Sequence, residues 1–204
     1  MTRMEMLREA SVLLRDPATI SDGVLLKSLA LSGRGSRRAR EALAPLAGFV
    51  ADLDPAALAA MPESSFGRAV HRFCEENRIA LLRPAMTARL REIAEARVVA
   101  VRYVATHDLV HVLVGEGADY AGEAAVYGFA CGQGYSLTHW VALVTACVLW
   151  SLMRPWEAPR ILRGALRGYR KGRGAPLLLA TRFEDRLAEP LDALRRSLGL
   201  AAVG

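Results

Sequence analysis

Aromatic residues are scarce, 6% of the 204-residue chain, which argues against a β-sandwich, a fold that leans on aromatic and β-branched side chains. No segment alternates polar and apolar residues cleanly enough to form a strand. The three cysteines, Cys74, Cys131 and Cys147, are odd in number, widely spaced and without a CxxC pair. They cannot make a disulfide framework and point to a reducing compartment. The N-terminal stretch MTRMEMLREASVLLRDPA carries Glu5, Glu9 and Asp16 among its apolar residues, so it lacks the uninterrupted apolar core of a secretory signal. There is no repeat, no Pro- or Gly/Ser-rich linker, and no NAD, flavin or haem motif. One helical domain over residues 1–204 is expected.

What remains is apolar and basic together. Hydrophobic residues are 52% of the chain, charged residues 24%, and the formal net charge is +6. That apolar content excludes intrinsic disorder, and the dominance of Ala, Leu and Arg favours helices. Residues 124–153 contain no Asp, Glu, Lys or Arg. Gly128, Gly132, Gln133 and Gly134 are read as breaking this run, leaving 137–153 as a continuous apolar segment at the lower limit of a membrane span. A buried core helix is the expectation for that segment.

The punctuation along the chain is helical. Asp54-Pro55 reads as an N-cap followed by proline in the first turn. Residues 61–67 form a turn launching a helix through Arg78, with Phe66, Ala69, Val70, Phe73 and Cys74 on one buried face. Residues 89–114 are the longest periodic stretch, ended by Gly115. Asp119 caps the next helix, and helices follow over 137–153, 158–169 and 182–198, the last kinked or split by Pro190. The fold class is all-α, a multi-helix bundle-like domain with a metal site between two helices and an apolar cavity.

Of four histidines, His107 and His111 stand at i and i+4, so both imidazoles leave the same helix face. A helix gives a metal two nitrogen ligands with this spacing. Glu123 follows on the next helix, beyond the break at Gly115 to Gly117, and can turn back to the same ion. Asp108 lies about 100° round the helix from His107, where it either coordinates from the flank or orients a ligand. The motif is not HExxH, since Asp108 stands where that motif has glutamate. Two imidazoles and two carboxylates suit a divalent metal: Zn²⁺ is the first choice, with Fe²⁺ or Mn²⁺ as alternatives.

The run His107-Asp108-x-x-His111, eleven residues, then Glu123 resembles the signature of the coenzyme Q biosynthesis protein four family. LAAMPESSFGRAVHRFCEENRI (58–79), RYVATHDLVHVLVGEGADYAGE (102–123) and GAPLLLATRFEDRLAEPLDALRRSLGL (174–200) resemble further blocks of that family, in order, while residues 1–50 match it weakly. The resemblance implies an all-helical homodimer that binds a metal through His107, Asp108, His111 and Glu123 and holds a polyprenyl lipid. It also implies work in ubiquinone biosynthesis at a membrane surface, organising other biosynthetic enzymes and removing the C1 carboxyl of the head group, by decarboxylation or hydroxylation. The chain departs from the family after Gly122-Glu123: Tyr127, Gly128 and Ala130, then Gly134, Tyr135 and Leu137, replace a Lys-Trp-x-Glu-like stretch and a Thr-Gly-x-Pro turn.

Val104, Leu109, Val112, Trp140 and Val144 are candidate lining for an isoprenoid tail. Arg160, Arg163, Arg167 and Arg170 recur along one helix face and suit anionic lipid headgroups, each worth about 1 kcal/mol near the surface. A second basic cluster occupies residues 32–40. With Tyr169 alone interleaved for stacking, nucleic acid is not the expected anion. The first reading is a metal-dependent protein acting on a prenylated aromatic, cytoplasmic and peripheral to the inner face of a membrane. The alternative is a non-catalytic polyprenyl-lipid scaffold.

Overall fold

A computed structural model describes residues 2–85 and 87–200. Among the described residues twelve α-helices follow one another, α1 (Arg3–Leu13), α2 (Ile20–Leu31), α3 (Arg37–Leu43), α4 (Pro55–Ala59), α5 (Phe66–Asn77), α6 (Ala88–Ala96), α7 (Val98–Ala105), α8 (His107–Val114), α9 (Tyr120–Gln133), α10 (Leu137–Met153), α11 (Ala158–Gly174) and α12 (Leu191–Ser197), with short 3₁₀ turns between some of them. There is no strand among the described residues, so the all-α expectation holds.

The caps follow the sequence signals. Asp54 accepts from the Ala56 amide with Pro55 in the first turn, and Ser65 accepts from the Arg68 amide to start α5. Gly115 closes α8 in the left-handed conformation at φ 73°, which glycine adopts without Cβ strain. Phe66, Val70 and Cys74 of α5 are buried against α8 and the C-terminal segment, with Ala69 and Phe73 packed at the edge. Pro190 does split the last helical stretch, into a 3₁₀ turn at Phe183–Arg186 and α12.

Three expectations are corrected. The periodic stretch over 89–114 is three helices, interrupted at Arg97 (φ −132°, ψ 41°) and Thr106 (φ −115°, ψ 8°). Thr106 Oγ1 donates to the Arg102 carbonyl at 2.6 Å, the back-bonding that bends a helix, while Arg97 Nη1 turns away to the Leu29 and Ser32 carbonyls at 2.6 and 3.2 Å. Second, Gly128 and Gly132 do not break their helix. They lie within α9 against α11, where a Cβ at Gly128 would overlap the Ala165 carbonyl oxygen; Gly168 of α11 meets Ala125 in the same way. These glycines let the two backbones touch. Third, α10 is not a core helix: it buries His139, Leu143 and Cys147 and turns Val141, Val144, Val148 and Leu152 outward, with Leu137 83% exposed. No helix among the described residues is long and apolar enough to cross a membrane.

One buried ion pair ties the C-terminal segment to the helices that carry the site. Arg102 on α7 is bonded through both terminal nitrogens to the Glu184 carboxylate, and donates to the carbonyls of Leu179 (3.2 Å) and Thr181 (3.0 Å). Its guanidinium also lies over the Phe183 ring. Arg102 therefore fixes α7, and α8 beyond it, against residues 179–184.

Candidate metal centre

α8 begins at His107, so His107 and His111 occupy its first two turns on one face. α9 follows after Gly115 to Gly117, and its first turn carries Glu123; the helix is capped by Asp119, whose Oδ1 accepts from the Gly122 amide at 2.8 Å. The three side chains converge. His107 Nε2 is 3.2 Å from His111 Nε2, and the two nitrogens stand 3.3 Å from Oε2 and Oε1 of Glu123, respectively. One ligand atom from each lies within 4.8 Å of the others. The His111 side chain is 1% exposed, whereas those of His107 and Glu123 are 25% and 27% exposed. The group is therefore reached from the His107–Glu123 side.

The chemistry of these donors fits a cation. His111 Nδ1 faces the Gly117 and Glu116 carbonyls at 3.0 and 3.3 Å. Carbonyls only accept, so Nδ1 carries the proton and Nε2 is left with the lone pair, the arrangement expected of a metal-ligating histidine. That lone pair points at His107 Nε2 and the Glu123 carboxylate, atoms that one shared cation would satisfy together. His107 Nδ1, also buried, has no hydrogen-bond partner. Burial alone would raise Glu123, but the His107 and His111 imidazoles bring it down to about 2. For His111, burial is outweighed by the hydrogen bond and charge of Glu123, and the imidazole is raised.

Asp108 stands apart from this trio. It borders an apolar pocket of about 380 Å³ together with His107, Tyr103, Val104 and Tyr127, and burial raises its carboxyl. The five apolar candidates do not line one cavity. Val104 borders this pocket, Leu109 and Val112 are packed in the core, and Trp140 and Val144 lie on the exposed side of α10. Of the arginine stripe, Arg160 pairs with Asp119 at 2.5 Å and Arg167 grips Glu116 through two bonds of 2.8 and 2.5 Å. Both pairs brace the α8–α9 connection that positions the site; Arg163 caps the Pro159 carbonyl at 3.0 Å and Arg170 is exposed.

Sequence reasoning overlooked the aromatic shell. The Tyr103 ring lies edge-on to His107 (centroids 5.4 Å) and to His139 (4.5 Å), and Phe73 stacks on His111 at 5.4 Å. Tyr103 was legible at i−4 from His107; Phe73 and His139 come from distant helices and had no signal. The same shell keeps His139 uncharged, because burial lowers its imidazole to about 4.

Residues 50–203 match the family described as coenzyme Q (ubiquinone) biosynthesis protein Coq4. The mitochondrial ubiquinone biosynthesis protein COQ4 homolog of Bos taurus is 33% identical over 154 residues, 72% of this chain and 55% of that protein. The Homo sapiens homolog is 31% identical over 156 residues, 74% and 56% of the two chains. The chain thus spans about half the length of these curated relatives. A crystal structure of a candidate ubiquinone biosynthesis protein from Nostoc punctiforme shares the fold, with a TM-score of 0.66 at 21% identity over 98% of this chain and 95% of that one. With three-quarters of its length matched by the family and 33% identity to a curated relative over 72% of the chain, this chain belongs to the Coq4 family of ubiquinone biosynthesis proteins.

Proposed function

We propose that the chain holds one divalent cation, zinc before iron or manganese, at His107, His111 and Glu123, and acts there on the head group of a prenylated aromatic during ubiquinone biosynthesis. The observation that carries this reading is the convergence of two imidazole nitrogens and both oxygens of one carboxylate within 3.3 Å contacts. A bound cation would supply Lewis acidity toward a carboxylate or phenolic oxygen. The protein's own groups divide the remaining work. His111, locked by the Gly117 carbonyl, and Glu123, fixed on a capped helix, hold the ligand geometry. Asp108 presents a carboxyl to the same pocket as His107, where it can take a hydroxyl proton from the head group.

The outward face of α10 favours a second reading, a lipid-binding scaffold that presents the prenylated intermediate to other biosynthetic enzymes. A run of exposed apolar side chains such as Val141, Val144, Val148 and Leu152 marks an interaction surface. We place it against an anionic membrane, with exposed Arg163 and Arg170 of α11 toward the headgroups, and the chain as a homodimer. Native mass spectrometry of the full chain tests both readings, because it reports metal, co-purified lipid and subunit number together. One metal with metal-dependent turnover of a prenylated hydroxybenzoate supports the enzyme; bound lipid without turnover supports the scaffold; neither metal nor lipid contradicts both.

A further inference from the structure

Helix α2 lies outside the matched residues 50–203 yet borders the pocket at His107. Its sequence ISDGVLLKSLAL buries Leu25, Leu26, Leu29 and Ala30 in a cluster with Met6, Ala10, Leu90, Ala94 and Val101. Ile20 and Val24, one turn apart on another face, remain 45% and 39% exposed. Together with Ser21 and Ser28 they line the 380 Å³ pocket, which Tyr103, Val104, His107 and Asp108 also line.

Helix α2 is held, not loose. Asp22, buried, accepts from the Ala85 amide at 2.8 Å, and Ser21 Oγ accepts from the Arg83 amide at 3.2 Å. The far end of α2 is gripped by Arg97 through the Leu29 carbonyl at 2.6 Å. Gly23 lets α1 close on the back of α2, since a Cβ there would stand 2.9 Å from the Leu14 backbone nitrogen. Both ends of α2 are thus pinned to the matched part of the chain, and Ile20 and Val24 are presented to the pocket from a fixed backbone.

We infer that Ile20 and Val24 are specificity-determining residues that pack against the first isoprenoid segment of the ligand while its aromatic head meets His107 and Asp108. The inference rests on the functional reading above. The pocket is mainly apolar in its lining, through Ile20, Val24, Leu82 and Val104, with Ser21, Ser28, His107 and Asp108 among its polar groups, a mixture that suits an aromatic ring carrying a hydrocarbon tail. Its volume is at the small end of the ~300–1,000 Å³ usual for ligand pockets, so it takes the ring and the start of a tail and leaves the rest to run outward.

Calorimetric titration of the metal-loaded full chain with 3-geranyl-4-hydroxybenzoate, beside unprenylated 4-hydroxybenzoate, decides the matter. Val24→Trp should weaken the geranylated probe by about tenfold or more, leave the unprenylated one within about twofold, and keep the metal content and melting temperature of the wild type. Ile20→Trp, at a more exposed position, should do the same and guards against misfolding of the first variant. Wild-type affinity for the geranylated probe in both variants, with metal still bound, overturns the role of α2 and leaves the site reading standing. A wild-type chain that binds neither metal nor probe overturns both.

Discussion

The Nε2 atoms of His107 and His111 face each other at 3.2 Å, each also 3.3 Å from an oxygen of Glu123. Without a metal, a second proton on His111, at Nε2, makes the imidazolium that pairs with Glu123. Since Glu123 raises the His111 imidazole above its ordinary 6.5, the metal-free chain gains stability from protonated His111. That gain is fully present below about pH 6.5 and is lost as pH rises through the raised value. The depressed Glu123 contributes above its ordinary 4.5 and loses its contribution only as pH falls toward about 2. Metal binding instead requires His111 neutral. The melting-temperature increase caused by Zn²⁺ should therefore be larger near pH 8 than near pH 6; an equal or smaller increase at the higher pH contradicts this.

Gly122 sits where the start of α9 meets the loop, and a Cβ there would overlap the Gly117 carbonyl oxygen. That carbonyl accepts from His111 Nδ1 at 3.0 Å. Gly122→Ala should weaken metal affinity by about 10–100-fold, as loss of a histidine's outer partner does. Gly117→Ala, with nothing within 4 Å of its Cβ, should bind metal as the wild type does. Equilibrium dialysis of the two variants separates the outcomes.

The Arg102–Glu184 pair is buried on both sides, at 1% and 2% side-chain exposure. Removing one partner strands a buried charge, so Glu184→Gln should cost about 3 kcal/mol in chemical denaturation, in line with broken buried pairs. A loss below about 1 kcal/mol would show the pair to be solvated in solution.

On the outward face of α10, Val144 and Val148 are one turn apart and more than half exposed. Replacing both with Glu should leave the fold within about 0.5 kcal/mol of the wild type, as surface changes do. Binding to anionic phosphatidylserine vesicles should fall by at least about tenfold, given the ~1.5–3 kcal/mol released by burying each valine. Undiminished co-sedimentation would remove α10 from the membrane contact.

How much of this was legible depended on sequence distance. Caps at Asp54, Gly115 and Asp119 were readable because each depends on residues within one turn, whereas of the start of α5 only the launching turn over 61–67 was read and not its cap, Ser65. The His107/His111/Glu123 group was readable because two ligands share a helix face and the third lies just past a glycine turn. The breaks at Arg97 and Thr106 were hidden, because the apolar period runs on through both. So was the exposure of α10, since 17 residues without a charge look the same whether they face a core or an outer surface. The pocket lining on α2 was beyond reach, because the pocket is assembled from segments about 80 residues apart, Ile20 and Val24 with Tyr103 and His107.

Elemental analysis of the full chain, purified without chelator, tests the metal centre most directly. Close to one equivalent of a divalent metal per chain is expected in the wild type, and close to none in His111→Ala or Glu123→Gln. A wild type free of metal after exposure to zinc, iron and manganese at neutral pH, or a His111→Ala variant that retains its full equivalent, would contradict it.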